Sequence, residues 1–200
     1  MAACLYKSSK TLGVQSDRSN MSDVVSLPSA GWDTLFSTAE QDRAIRALEQ
    51  GNVLLFPQLH LSILHGEDRL LSPASAGQGK NVSLDPSTSS VRGCRLDARD
   101  LALLNRMMVR FAASSSGLLR NLFPSYRAGL QQARTSFRPI EIAGRSTSWR
   151  KDDRRLHVDS FPSSPTGGKR ILRVFSNVGE AAPGGSESRS NRLQAATWLH

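Results

Sequence analysis

Two hundred residues suit one ordinary domain or a core with loose ends, and 38% hydrophobic with 22% charged residues fits a globular chain somewhat poor in apolar groups. Two cysteines, Cys4 and Cys94, without C-x-x-C spacing argue against a disulfide framework and suit a reducing cytoplasm. No apolar run approaches the ~20 residues of a membrane span, and the first twenty residues lack the apolar core of a signal peptide. The net charge of +9 is concentrated: ten Lys/Arg between Arg134 and Arg173 face only Glu141, Asp152, Asp153 and Asp159. Such a block attracts phosphates on nucleic acid, anionic lipid or phosphorylated glycolipid, but no nucleic-acid recognition motif accompanies it. A solvated basic face is the plain alternative.

Residues 1–30 are Ser-rich and polar without periodicity and are expected to be a disordered extension, with Met1 or Met21 as the natural start. Ser37 and Glu40 have capping-box spacing, Ala44, Ile45 and Leu48 share a helical face, and Gly51 supplies a stop. "NVLLFP" (52–57) reads as a buried strand closed by Pro57. Residues 72–95, rich in Ser, Gly, Asn and Pro, read as a long loop. A second helix starts near Asp97, and its stripe Leu101, Leu104, Met108 and Phe111, widened by Leu103 and Met107, is a core face. "ASSSG" (113–117) is expected to weaken that helix, with a restart through Leu118, Leu119 and Leu122 before Pro124. From residue 134 the helical period fades, and "TSFRPIEI" and "KRILRVFSNV" read as strands. Helices first and strands later give an α+β layout.

One short stretch carries chemistry. In "RLHVDSFPS" (155–163), His157 and Asp159 would project to the same side of a strand. An imidazole and a carboxylate so placed are two of the three ligands of the facial triad that holds non-haem Fe(II) and leaves three positions open. On spacing alone, a histidine hydrogen-bonded to its neighbouring aspartate on a strand surface fits equally well.

The flanks extend the pattern. "SFRP" (136–139), "SWRKDD" (148–153), "RLHVDSFPS" (155–163) and "RILRVFSNV" (170–178) resemble the Kdo (3-deoxy-D-manno-oct-2-ulosonic acid) hydroxylase family. "AIRALEQGNVLLFPQL" (44–59) and "GKNVSLD" (79–85) resemble its N-terminal half. The resemblance implies helices packed on a partial double-stranded β-helix (jelly-roll) core. It further implies Fe(II) held by His157 and Asp159, 2-oxoglutarate as co-substrate, and hydroxylation of the Kdo sugar of a lipid A precursor of lipopolysaccharide. Arg138, Arg150 and Lys151 become candidates for holding the substrate's carboxylates or phosphates. The enzyme would be cytoplasmic, peripheral at the inner membrane, with no nucleic-acid partner.

The resemblance ends near Val178, giving an expected division into 1–30 (extension), 31–178 (incomplete dioxygenase domain) and 179–200 (disordered, non-homologous tail). "GEAAPGGSESRSNRLQAATWLH" supplies neither barrel strands nor the family's basic anchor for 2-oxoglutarate, and its only histidine is His200 at a fraying end. The tail reads as a frameshift product or a real terminus, and the expectation is impaired or absent activity. A non-catalytic basic module for anionic glycolipid or membrane surface is the alternative function.

Overall fold

The computed structural model describes residues 2–6, 24–77, 81–139, 167–178 and 193–198. Two helices lie on one face of a single mixed sheet. The helices are α1 (Thr38–Glu49) and α2 (Ala98–Leu122). The strands are β1 (Ala2–Tyr6), β2 (Val24–Ser26), β3 (Val53–Phe56), β4 (Val82–Leu84), β5 (Val91–Arg92), β6 (Thr135–Arg138), β7 (Ile171–Asn177) and β8 (Leu193–Trp198). Their order in the sheet is β2-β3-β8-β7-β1-β6-β4-β5. The mixed helix-and-sheet content agrees with the expected α+β class, and all described strands belong to this one sheet.

Local chemistry sets the helix ends. The Ser37 hydroxyl accepts from the Glu40 amide, and the Glu40 carboxylate accepts from the Ser37 amide at 2.8 Å, completing the capping box. Gly51 then takes φ +81°, open to glycine without strain, and turns the chain into β3. Asp97 caps α2 through a 2.8 Å bond from the Asp100 amide, and Pro124 follows its end.

Packing overrides propensity in the middle of α2. The helix runs unbroken through "ASSSG", contrary to the expected interruption. Ser115 is fully buried there, and Leu118, Leu119 and Leu122 continue the buried stripe of Leu104, Met107, Met108 and Phe111. Burying each such large side chain contributes about 1.5–3 kcal/mol, more than a few serines and one glycine cost a helix.

The sheet answers with its own period. Leu54 and Phe56, Val82 and Leu84, Thr135 and Phe137, and Leu172, Val174 and Ser176 are buried, while the residues between them are half-buried. Helices and strands share one core, with Trp32 edge-on to Phe111 and Phe36 against Phe56. At its margin the carboxylate of Glu67, 2% exposed, takes Arg110 at 2.5 Å and the Leu64 amide at 2.8 Å.

Three further differences from the sequence expectations have local causes. The expected loop at 72–95 contains the antiparallel pair β4–β5, whose three- and two-residue strands are too short to show alternation. Its turn is held by the Asp85 carboxylate on the Ser87 amide and hydroxyl, and Gly93 is required because a Cβ there would lie 2.7 Å from the Asn81 carbonyl. Within 1–30, expected to be disordered, β1 lies between β6 and β7, and Val24–Val25 add β2 to the edge of β3. Within 179–200, "LQAATW" pairs antiparallel with both β3 and β7. Short apolar runs in polar surroundings carry little periodic signal; β2 and β5 are edge strands of three and two residues, and β1 and β8 pair with strands distant in sequence.

Candidate functional site

The sheet's two faces differ in kind. The alternation that sends Thr135 and Phe137 toward the helices sends Ser136 and Arg138 to the other side. Likewise Leu172, Val174 and Ser176 face the helices, and Arg173, Phe175 and Asn177 share the opposite face. Register places them in rows. Ser83 of β4 is opposite Ser136, and Ser136 and Phe175 share a row through Cys4 of β1. Arg138 and Asn177 share the next row through Tyr6. Two interstrand spacings separate such partners, about 10 Å between Cα atoms. Arg173 lies at the Ala2 row, four residues before Asn177 on the same face.

Arg138 and Arg173 thus bring two guanidiniums to one polar sheet face. Both are half-buried, their Nε atoms lie out of water, and each engages a neighbour. A guanidinium keeps its charge in such a place and presents planar donors suited to carboxylate or phosphate. Of the candidates named from sequence, Arg138 is therefore placed on this face. Arg150 and Lys151, and the proposed ligands His157 and Asp159, lie outside the described residues.

The described residues do fix where the connection that contains His157 and Asp159 attaches. β6 and β7 run parallel through β1, so the chain leaves the sheet at Arg138 and re-enters at Ile171, at opposite ends of the strands. The re-entry point is pinned. Arg170 makes a bidentate pair with Glu49 of α1, both bonds 2.9 Å, and Lys169 donates to Gln131 at 2.7 Å. The Tyr126 hydroxyl also donates to Glu49. These bonds hold the Glu49 carboxyl below its usual pKa, while burial and the neighbouring carboxylate push the Tyr126 hydroxyl up to about 12.

His60 and His65 are exposed on the loop after β3. Among the described residues no three His, Cys, Asp or Glu side chains cluster as a metal site. The donor chemistry of His157 and Asp159, one neutral nitrogen and one anionic oxygen, fits two positions around Fe(II). Sequence reasoning missed Arg173 and Asn177 as site residues, counting Arg173 only toward the basic block. The signal was present: in "ILRVFSN" the apolar Leu172 and Val174 flank Arg173, and strict alternation puts it on the face away from the core.

With this geometry in hand, comparison with known proteins is informative. The 3-deoxy-D-manno-oct-2-ulosonic acid (Kdo) hydroxylase family matches residues 31–185, reaching beyond Val178. Crystal structures of the Kdo hydroxylase KdoO, a non-haem Fe(II), α-ketoglutarate-dependent dioxygenase, are similar in fold. The apo form gives a TM-score of 0.72 at 47% identity over 76% of this chain and 51% of that one. The complex with α-ketoglutarate and Fe(III) gives 0.72 at 46%, and the cobalt(II) complex 0.72 at 47%, with the same coverage. The chain spans about half the length of these structures. Among proteins of curated function, none matches it.

Proposed function

The chain belongs to the Kdo hydroxylase family, and from that premise we propose that it forms the metal- and anion-binding half of an Fe(II)- and 2-oxoglutarate-dependent hydroxylase. The substrate in this reading is the Kdo sugar of a lipid A precursor, met at the cytoplasmic face of a membrane, and the parent architecture is a jelly roll. The observation that carries it is the polar sheet face. Arg138 and Arg173 share it, two strands and four rows apart, on the strands between which the connection containing His157 and Asp159 runs.

His157 and Asp159 would hold Fe(II) by nitrogen and oxygen, with the rest of the coordination sphere left for co-substrate and other ligands. Bound iron would let O₂ act as the oxidant, one oxygen atom going into a C–H bond of the sugar and the other to 2-oxoglutarate, which is oxidised and decarboxylated to succinate and CO₂. The chain's own groups do the positioning. Arg138 and Arg173 neutralise carboxylates or phosphates of the ligand, Asn177 can donate to and accept from sugar hydroxyls, and Phe175 offers an apolar wall between them. Arg150 and Lys151 are proposed as further anion contacts on the connection itself. The Glu49–Arg170 pair keeps the start of β7 fixed, so that Arg173 holds its place relative to Arg138.

Only His200 follows His157 among the histidines. The 200-residue chain is therefore proposed to bind Fe(II) through two side chains, weakly, and to turn over little or no substrate. A 2-oxoglutarate-dependent product from the purified chain would overturn that part.

The test of the face is retention on immobilised Kdo-containing glycolipid. Arg138→Gln with Arg173→Gln should elute at markedly lower salt than the parent while remaining cooperatively folded, with only a slightly lower melting temperature. Equal retention would remove the sheet face from the site.

A further inference from the structure

Asn81 stands immediately before β4 and belongs to the polar face. Its neighbour Val82 is fully buried toward the helices, so alternation turns Asn81 the same way as half-buried Ser83. Val82 pairs with Phe137 and Ser83 with Ser136, and one step further along this antiparallel register Asn81 comes opposite Arg138. Partners so placed on one face have Cβ atoms about 4.5–5.5 Å apart. Asn177 stands in the same row, across β1 on the other side of Arg138. The mount of Asn81 is rigid. A Cβ on Gly93 would lie 2.7 Å from the Asn81 carbonyl oxygen, and one on Gly77 would lie 2.8 Å from the Gly93 carbonyl oxygen. The Gly77 amide donates to that Gly93 carbonyl at 3.0 Å. Backbone packed this closely leaves the Asn81 main chain little room to shift.

The side chain on this mount is unsatisfied. Asn81 Oδ1 lies out of water and accepts no hydrogen bond among the described residues. A buried carbonyl without a donor lowers stability, and an apolar side chain of similar size would avoid that loss. Its chemistry also narrows what can complete it. A carbonyl oxygen accepts and cannot donate, so the oxygens of a carboxylate or phosphate leave it unmet, whereas a hydroxyl satisfies it. Arginines supply this face with donors for anions. Asn81 adds what they lack, a fixed acceptor for a hydroxyl next to a charged anchor. A ligand seated with its anionic group on Arg138 and bearing hydroxyls on the same ring meets both requirements.

We propose that Asn81 is a specificity-determining residue of this face, accepting a hydroxyl of a sugar acid whose carboxylate is held at Arg138. The inference rests on the reading of the face as the sugar site and deepens it: the arginines hold any suitable anion, and Asn81 selects the polyhydroxylated acid over the bare one. Arg138 then has a carboxamide on either side in its row, Asn81 on the neighbouring strand and Asn177 beyond β1.

The experiment is titration of the full chain with free Kdo and, separately, with inorganic phosphate, alongside thermal unfolding without ligand. Asn81→Leu should weaken Kdo binding about tenfold, leave phosphate binding as in the parent, and melt no lower than the parent. Arg138→Gln should weaken both ligands. Asn81→Ala, which adds no bulk, should show the same loss confined to Kdo and decides the matter if the leucine variant folds poorly. Parent-like Kdo binding by the Asn81 variants, in a chain whose Kdo binding still requires Arg138, would overturn the inference and leave the sugar site standing. So would an equal loss of Kdo and phosphate, which would mark Asn81 as a general support of the face. Failure of the underlying reading looks different: no saturable Kdo binding by the parent, or Kdo binding untouched by Arg138→Gln, removes the sugar site and this inference with it.

Discussion

The two faces of the sheet are built from the same strands and divided by the strand period alone. Toward the helices, Phe137, Val174, Leu84 and Leu54 meet Phe111, Met108 and Leu118 in a closed apolar layer. Away from them, Ser83, Ser136, Arg138, Arg173, Phe175 and Asn177 form a mixed polar surface. Stability resides on the helix side, recognition is proposed for the other, and neighbouring residues in sequence should then respond to substitution in opposite ways.

The comparison is broken most severely from the core side. Phe111→Ala or Phe137→Ala should cost about 3–5 kcal/mol in denaturant unfolding, because each leaves a cavity in a packed layer. Arg110→Ala should cost about 3 kcal/mol by leaving the Glu67 carboxylate buried without its cation, and Glu67→Gln should cost less. Ser37→Ala removes one half of the capping box and should cost about 1 kcal/mol. Arg138→Gln and Arg173→Gln are the converse probe: a modest loss of about 1 kcal/mol each, well short of the core penalty, with loss of glycolipid retention. A core-like penalty from either would show that the polar face is structural.

A smaller effect is a matter of pH. Tyr126 has its pKa raised in the folded chain from its ordinary 10.0 to about 12, so its contribution is whole below pH 10 and is lost as pH climbs toward 12. Glu49 is shifted the other way, so its contribution is present above pH 4.5 and declines in acid. Tyr126→Phe should flatten the stability profile between pH 10 and 12 and soften the acid limb only partly, because Arg170 remains the larger cause of the Glu49 shift. An unaltered alkaline limb would place the titration elsewhere.

Much of this was legible because the signals are local. Ser37 with Glu40, Asp97, Gly51 and "NVLLFP" announce element ends through backbone chemistry within a few residues. "TSFR" and "ILRVFSN" announce strands through β-branched and aromatic content. What was not legible depends on partners distant in sequence. The serines of "ASSSG" stay helical because Ser115 and Leu118 pack on the sheet, and β4–β5 forms because β6 offers an edge. Of the candidate site, Arg138 and the His157–Asp159 pair could be nominated from motif, but uniting Arg138 with Arg173 and Asn177 needed the register across β1.

The central claim is that the connection between Arg138 and Ile171 carries a metal half-site, and anaerobic Fe(II) titration tests it most directly. Parent chain, His157→Ala and Asp159→Ala should be compared at one pH, each shown to be folded. Weak, saturable binding of one Fe(II) by the parent, lost in both variants, is the expected outcome. Equal binding by parent and His157→Ala would contradict it.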